Sequence, residues 1–295
     1  MPGLPPALAL LRPRQWYKNG IVLVPLLFSN NLGNVALWPR AGLAVLAFCL
    51  LSSAAYCVND VRDAARDRLH PTKRERPVAS GQVPAAAALL LAGILLVGGL
   101  GLLWLANPPT FALGVGYVVL QAVYNLVLKQ VFLWDILAIA LGFVLRALAG
   151  TTVLPVPPSE WLIVCTFLFA FHLGLAKRRH ELLVGAGAGH RAVLAEYSVA
   201  FVEQTLQVST ALLLAAYSLY TFFGPHLAMM ATIPFAFYGV LRYNVLVHRR
   251  DGRDEAQLIF RDRATLLNGA TWLVVAALAQ TDLPARTWLW LNALG

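Results

Sequence analysis

Nine apolar runs, separated by polar or proline-containing segments, dominate this chain of 295 residues. Most are long enough to cross the ~30 Å hydrocarbon core of a bilayer as helices, where each backbone group must be bonded within its own segment. With 59% hydrophobic and 13% charged residues, the chain is predicted to be one all-α integral membrane domain over residues 1–295. The first run is weak, because Asn30, Asn31 and Asn34 interrupt it. The nine predicted transmembrane helices cover residues 20–36, 41–58, 84–106, 110–128, 132–154, 159–176, 205–223, 227–247 and 267–290.

The positive charges predict how these helices are oriented. Of the 23 Lys and Arg residues, 19 lie in the N-terminal segment and in the connections after the second, fourth, sixth and eighth runs. Since cytoplasmic loops are enriched in Lys and Arg, we expect these parts to be cytoplasmic, with the C-terminus outside. Topology then accounts for the net charge of +9, and no nucleic-acid partner is expected. The cytoplasmic connections are predicted at 59–83, 129–135, 177–204 and 248–266.

An acidic segment follows the second apolar run. In NDVRDAARD at 59–67, the spacing places Asp60, Asp63 and Asp67 within roughly a 60° arc of one helical face. Mg²⁺ prefers oxygen ligands and commonly bridges to phosphates, so these carboxylates and Asn59 predict a magnesium–diphosphate site. The alternative is a solvated segment in which Asp and Arg side chains pair with one another. Such ion pairs would argue against the metal site.

A second polar motif surrounds the start of the fifth run, with Tyr124, Lys129 and Asp135 in YNLVLKQVFLWD. Asp135 and Arg146 lie inside an otherwise apolar helix, where burying charge is costly. Eleven residues apart, they are about 20° apart in azimuth and ~16 Å apart along the axis. They therefore share a stripe without touching, and an internal polar cavity would explain both.

Basic residues in three further segments could bind phosphate. Lys73 and Arg76 follow the acidic segment, Lys177 and Arg178 end the sixth run, and Lys18 precedes the first. Lys and Arg bind phosphate oxygens by charge-assisted hydrogen bonds. The alternatives are a charged stop signal at the end of the sixth run and an interfacial belt of cations, Trp and Tyr around Lys18.

The motif NDxxDxxxD, followed by KRERPVASG at 73–81, closely resembles the UbiA superfamily of intramembrane prenyltransferases. RPRQWYKN at 12–19, GFVLRALAG at 142–150 and AKRRHEL at 176–182 resemble one branch of it, the decaprenyl-phosphate phosphoribosyltransferases. The resemblance implies nine helices around a central cavity open to the cytoplasm. It also implies a Mg²⁺-dependent glycosyltransferase that moves 5-phosphoribose from phosphoribosyl pyrophosphate (PRPP) to a polyprenyl phosphate, releasing diphosphate, for arabinose donors of the cell wall.

The resemblance also assigns roles to residues. Asn59, Asp60, Asp63 and Asp67 would hold Mg²⁺ and diphosphate, and Tyr124, Lys129 and Asp135 would form the second motif. Ordinary prenyl-transferring members often have a second aspartate four residues after Asp135, where this chain has Ile139. That departure favours a donor held mainly by the first motif. The cations available for the other phosphates are Lys18, Lys73, Arg76, Lys129, Arg146, Lys177 and Arg178.

Two other functions stay open at this point. One is a prenyltransferase that moves a prenyl group onto an aromatic or tetrapyrrole acceptor with the same first motif. The other is a transporter or lipid-binding protein without turnover, whose intramembrane charges would also line a cavity. Nothing in the sequence decides the oligomeric state, so a homo-oligomer is also open.

Overall fold

The computed structural model of this chain describes residues 5–29, 31–154, 156–183, 192–249 and 259–281. Ten α-helices follow one another in this part of the chain, joined by short 3₁₀ segments and loops. They are α1 (Pro6–Leu10), α2 (Val24–Phe28), α3 (Trp38–Asp67), α4 (Ala85–Ala106), α5 (Pro108–Leu126), α6 (Trp134–Val153), α7 (Glu160–Leu183), α8 (Val199–Phe223), α9 (Ile233–Arg249) and α10 (Arg263–Ala279).

Seven helical segments are long and apolar enough to cross a membrane, and they contain α3 to α9. Several side chains on α4 present apolar surface, with Leu90, Val97 and Leu105 exposing 69, 73 and 81% of their area. Large apolar surfaces of this kind are rare on proteins that face only water. Length, composition and exposed surface therefore agree with the predicted multi-pass membrane protein.

The first predicted span is wrong as a continuous helix. A 3₁₀ helix runs over Pro13–Leu23, α2 ends at Phe28, and the next helical turn begins at Val35. The Asn31 amide donates to the Ser29 backbone oxygen at 3.0 Å and to its hydroxyl at 2.8 Å, and local bonds of this kind compete with helix formation. Asn30, which the sequence also marks as an interruption, lies outside the described residues.

Helix ends differ from the predicted spans in three places. The acidic segment is the last part of α3, so residues 59–67 are helix rather than loop. Lys177 and Arg178 likewise belong to α7, which ends at Leu183. The last predicted run is helical as far as Ala279 in α10. Residues 282–290 of that run, and parts of the predicted loops 177–204 and 248–266, lie outside the described residues.

The chain divides into two compact units. The first comprises residues 1–25, 34–158 and 186–196, and the second comprises 26–33, 159–185 and 197–295. The predicted central cavity, like the single domain, stays a prediction.

In the first unit, the N-terminal 3₁₀ helix packs very closely on α6. A Cβ atom on Gly150 would lie 2.2 Å from the backbone oxygen of Val22, a distance that no side chain could tolerate. Glycine at this position therefore lets the two backbones approach each other. This contact places the RPRQWYKN segment against the helix that carries Asp135 and Arg146.

In the second unit, a buried histidine links three helices. His172 on α7 is 2.9 Å from the Ser209 hydroxyl on α8 and 2.9 Å from the Asn244 amide oxygen on α9. The Asn244 amide nitrogen donates to Thr210 at 2.9 Å. Because both ring nitrogens have partners, His172 acts as a packing residue of this unit.

Candidate active site

The acidic stripe at the end of α3 consists of Asn59, Asp60, Asp63 and Asp67, and it lies in the first unit. Asp60 and Asp67 are buried, exposing 2 and 4% of their area, and the Asp63 side chain exposes 13%. Buried carboxylates require partners that replace their lost hydration. Four cations supply them: Arg12, Arg66, Arg76 and Lys129.

Two arginines hold Asp60 and Asp67. Arg12 forms an ion pair with Asp60 from a left-handed backbone conformation, φ 50°, at the start of the N-terminal 3₁₀ helix. Arg76 lies 3.3 Å from the carboxylate of Asp60 and 2.7 Å from that of Asp67. Asp60 therefore shares one of its two arginines, Arg76, with a second carboxylate, and the segments at 12–19 and 73–81 meet at the stripe.

Lys129 joins the second motif to the first. Its ammonium donates to Asn59 Oδ1 at 3.3 Å and to the two carboxylate oxygens of Asp63 at 2.9 and 3.1 Å. Arg66 contacts the same carboxylate at 3.2 Å. Lys129 exposes only 2% of its area, so it is a buried part of the cluster and not an anchor at the membrane surface.

A tight turn leads from Lys129 to Asp135. Leu133 has φ 63°, and the amide of Trp134 donates to the Phe132 carbonyl at 2.8 Å. This three-residue turn is a γ-turn of the rare, strained type. It begins α6 so that Asp135 lies in the first turn, fully buried, where the helix dipole stabilises a negative charge.

Arg146 lies deeper along α6, as its spacing from Asp135 predicts. Its guanidinium donates to the Tyr117 hydroxyl at 2.6 Å and to the Gly142 carbonyl at 3.2 Å. It also lies over the Tyr117 and Phe143 rings, 4.5 and 5.2 Å from their centroids. Its Nε has no hydrogen-bond partner in the described structure. Arg146 is thus a buried cation held by neutral groups.

Five further predicted residues lie in one or the other of the two units. In the first unit, Lys18 lies 5.9 Å from the centre of the Tyr17 ring, and Lys73 and Tyr124 are half-buried. Lys177 and Arg178 belong to the second unit, where Arg178 forms an ion pair with Glu181. Their predicted roles in phosphate binding stay predictions.

The set of site residues predicted from the sequence does not include Arg12. Its motif, RPRQWYKN, is evident in the sequence, but Lys18 was the cation predicted to reach the substrate. Asp60 lies 48 residues from Arg12 along the chain, and spacing alone does not reveal such a contact. The signal was the motif itself, which has two arginines before the Trp and Tyr.

The ion pairs bear on the predicted metal site. Ion pairs at the acidic stripe are the arrangement that would argue against a magnesium site. Within the described residues, no group of three His, Cys, Asp or Glu side chains forms a ready metal site. The donors are nevertheless the hard oxygen ligands that Mg²⁺ prefers. Moreover, Arg12 and Lys129 reach the stripe from 48 and 66 residues away, unlike a solvated segment that pairs its own charges. The residues suit Mg²⁺ only if the carboxylates exchange these cations for it.

Comparison with known proteins decides the family. A family model described as the UbiA prenyltransferase family matches residues 22–269. The chain belongs to the UbiA prenyltransferase family. This UbiA member is 30% identical over 279 residues to a decaprenyl-phosphate phosphoribosyltransferase of Mycobacterium tuberculosis, covering 91% of this chain and 92% of the relative. A relative of the same name from Corynebacterium glutamicum is 30% identical over 288 residues, covering 93% and 86% of the two chains.

Solved structures show the same UbiA fold. A UbiA homolog from Archaeoglobus fulgidus, bound to GPP and Mg²⁺, superposes with a TM-score of 0.72 over 93% of this chain and 99% of that one, at 19% identity. The protein is therefore a multi-pass membrane enzyme of the UbiA prenyltransferase type.

Proposed function

We propose that this UbiA protein transfers 5-phosphoribose from PRPP to a polyprenyl phosphate and releases diphosphate. The observation that supports the donor and acceptor most directly is the pair of relatives named decaprenyl-phosphate phosphoribosyltransferase, matched over about nine-tenths of this chain. The product would supply arabinose donors for the cell wall. The site would face the cytoplasm of the inner membrane, where a phosphorylated sugar donor is available.

The geometry of the acidic stripe supports diphosphate binding by an exchange of partners. Arg76 already bridges two carboxylates, and Lys129 bridges Asn59 and Asp63. When a diphosphate binds, these cations can turn to its oxygens, and the freed carboxylates are the groups that would hold Mg²⁺. Every buried charge then has a partner both before and after binding, which avoids the large cost of an unpaired buried ion.

The carboxylates and the cations at the stripe would have different roles in binding the donor. Asp60, Asp63 and Asp67, with Asn59, would hold Mg²⁺, which when bound stabilises the charge that develops on the leaving diphosphate. Arg12, Arg76 and Lys129 would bind the diphosphate oxygens and stabilise the same charge. Arg12 enters this set from the structure alone.

The reaction itself requires no general base. The bond from ribose C1 to the diphosphate oxygen breaks, and the electron pair leaves with the diphosphate. A lipid phosphate oxygen, already anionic near pH 7, forms the new bond to C1. Asp135 is a buried carboxylate and could stabilise the positive charge that develops at C1. Because the acceptor oxygen is already anionic, no catalytic histidine beside Asp135 is needed. Arg146 and Lys73 are candidates for the remaining phosphates.

Donor choice tests this function. Membranes containing the protein are incubated with labelled PRPP and polyprenyl phosphate, and separately with a prenyl diphosphate and an aromatic acid. We expect lipid-linked label only with the first pair, and loss of the signal with EDTA and its return with Mg²⁺. Turnover of the second pair alone would contradict the phosphoribosyl assignment. Absence of turnover with both pairs would favour a non-enzymatic role.

A further inference from the structure

Arg146 on α6 is a buried cation whose charge no carboxylate compensates. The residue exposes 6% of its area, and its contacts are the Tyr117 hydroxyl, the Gly142 carbonyl and the rings of Tyr117 and Phe143. In the parts of the chain that the structure describes, no Asp or Glu pairs with it. A buried charge without an opposite partner is costly in a membrane and is typical of a functional position. Arg146 therefore keeps a charge that an anionic group of a ligand would compensate.

The hydrogen-bond donors of Arg146 are mostly unused. A guanidinium has five N–H donors. Here Nη2 donates to the Tyr117 hydroxyl at 2.6 Å and Nη1 to the Gly142 carbonyl at 3.2 Å, while Nε has no partner in the described structure. Nε and Nη2 lie along one edge of the guanidinium, and such an edge can bind two oxygens of a phosphate side by side. The free Nε–H thus suits the same kind of ligand as the uncompensated charge.

Tyr117 on α5 fixes the orientation of this cation. It exposes only 1% of its area, and it contacts Arg146 twice, through the hydroxyl and through the ring, whose centroid lies 4.5 Å from Arg146 Cζ. Phe48 on α3 packs edge-on against the same ring, with 5.5 Å between the centroids. Because the hydroxyl is neutral, Tyr117 holds the guanidinium in place without cancelling its charge, as a carboxylate at the same position would do.

The guanidinium points toward the end of α6 that carries Asp135. It bonds to the Gly142 carbonyl, one turn before Arg146, and a Cβ atom on Gly142 would lie 3.9 Å from Nη1. Helical side chains commonly lean toward the N-terminus of their helix in this way. Gly142 follows Asp135 by only ~10 Å along the helix axis. The charged group is therefore closer to the level of Asp135 than the backbone of Arg146 is.

We infer that Tyr117 is a positioning residue, which holds Arg146 uncompensated and in a fixed orientation for a phosphate group of a substrate. This inference rests on the proposed function for the two sources of that group, the 5-phosphate of the ribose donor and the phosphate of the polyprenyl acceptor. Both present the same oxygens to a guanidinium. Tyr117 lies outside every motif from which the site was predicted, and it acts through Arg146 rather than by touching the substrate.

The test is a calorimetric titration of the full chain in lipid nanodiscs with ribose 5-phosphate and, separately, with a short-chain polyprenyl phosphate. Tyr117→Phe keeps the ring and removes the hydroxyl, and we expect it to weaken binding of one of the two ligands about 10-fold. Arg146→Gln should weaken binding of the same ligand about 100-fold. The affected ligand identifies the source of the phosphate. The KM of the corresponding substrate should rise with little change in kcat.

A double variant separates positioning from support of the fold. In the Arg146→Gln background, Tyr117→Phe should have no further effect on affinity, because the hydroxyl acts only through the guanidinium. Arg146→Gln should not lower the Tm of the protein without ligand, since it removes a buried charge. The control is Tyr217→Phe in the second unit, whose hydroxyl is 2.6 Å from that of Thr232 and accepts from Trp272 at 2.9 Å. It should lower the Tm and leave both affinities unchanged.

Four outcomes would overturn the inference. They are a wild-type protein that binds neither ligand, unchanged affinities in Tyr117→Phe, losses that add in the double variant, and a clear drop in the Tm of Arg146→Gln. Coupled losses of binding without any transfer from PRPP would support the inference and refute the proposed function. Transfer from PRPP with losses that simply add would support the proposed function and refute the role of Tyr117.

Discussion

The acidic stripe and the polar groups of the second unit pair their charged side chains in opposite ways. At the stripe, Asp60 has two arginines, and one of them, Arg76, also binds Asp67. In the second unit, Arg242 on α9 donates through two nitrogens to Asp262 alone, at 2.8 and 3.1 Å. Shared partners can be redistributed to a ligand, whereas a two-point pair between single residues holds one geometry.

The difference separates a site that can exchange partners from contacts that fix helices. His172 bonds to two helices at once, and Asp262 caps α10 by accepting from the Thr265 amide at 2.9 Å. Both join elements of the second unit. At the stripe, Arg12 and Lys129 reach the carboxylates from 48 and 66 residues away along the chain. We therefore expect substitutions at the stripe to change activity and substitutions in the second unit to change stability.

The largest expected effect is at Asp60. Asp60→Asn keeps the shape but removes the charge, and we expect turnover with PRPP to fall by about 10²–10³-fold, with normal membrane insertion. The double variant Asp60→Asn with Arg12→Gln removes both partners of one ion pair. If that pair only stabilised the fold, the double variant would recover activity. We expect it to stay inactive in the labelled-PRPP assay.

Gly150→Ala should have a smaller effect, on both stability and activity. The added Cβ must displace the backbone near Val22, so the segment that carries Arg12 shifts. Overpacking of this kind lowers the free energy of unfolding by about 1–3 kcal/mol. We also expect roughly a 10-fold loss of activity per folded molecule, which corresponds to ~1.4 kcal/mol of activation free energy. The control is Gly116→Ala on α5, where a Cβ meets nothing within 4 Å. Equal activity in the two variants would show that the position of the N-terminal segment does not matter.

His172→Phe should reduce stability and leave chemistry intact. It removes hydrogen bonds between α7, α8 and α9, worth about 1–2 kcal/mol in a membrane helix bundle. We expect a lower Tm in detergent and an unchanged kcat for the folded fraction. Thr271→Ala, which removes a bond within α10 only, is the matched control. A lost kcat at unchanged Tm would place His172 in the catalytic machinery instead.

The smallest effect is the pH dependence of the pair between α9 and α10. The hydrogen bonds from Arg242, followed by those from Thr265, hold the pKa of Asp262 below its ordinary value. A carboxyl whose pKa is lower in the folded state stabilises the fold above its unfolded pKa, near ~3.9, and this stabilisation is lost as pH falls through the folded pKa. Asp262→Asn retains capping ability. Its Tm deficit should therefore be largest at pH 7 and shrink in acid; a deficit independent of pH would contradict the pairing.

Much of the site could be predicted because it depends on local spacing. The three carboxylates lie on one face of α3, and Asp135 and Arg146 lie on α6, as the helical repeat requires. The first span could not be predicted in the same way, because apolar content does not reveal where Asn side chains interrupt a helix. For a related reason, α3 and α7 end later, at Asp67 and Leu183, than apolar content predicts. Charged residues can continue a helix beyond its apolar part.

Sequence alone determined the α-helical membrane class, the acidic stripe and the family, because hydropathy, helical periodicity and motifs are properties of neighbouring residues. Only the tertiary structure decided that Arg12, and not Lys18, meets Asp60, and that Lys129 joins Asn59 to Asp63. Such contacts depend on how separate helices pack, and many cations in a chain have the same charge but only a few are brought within reach of a buried carboxylate.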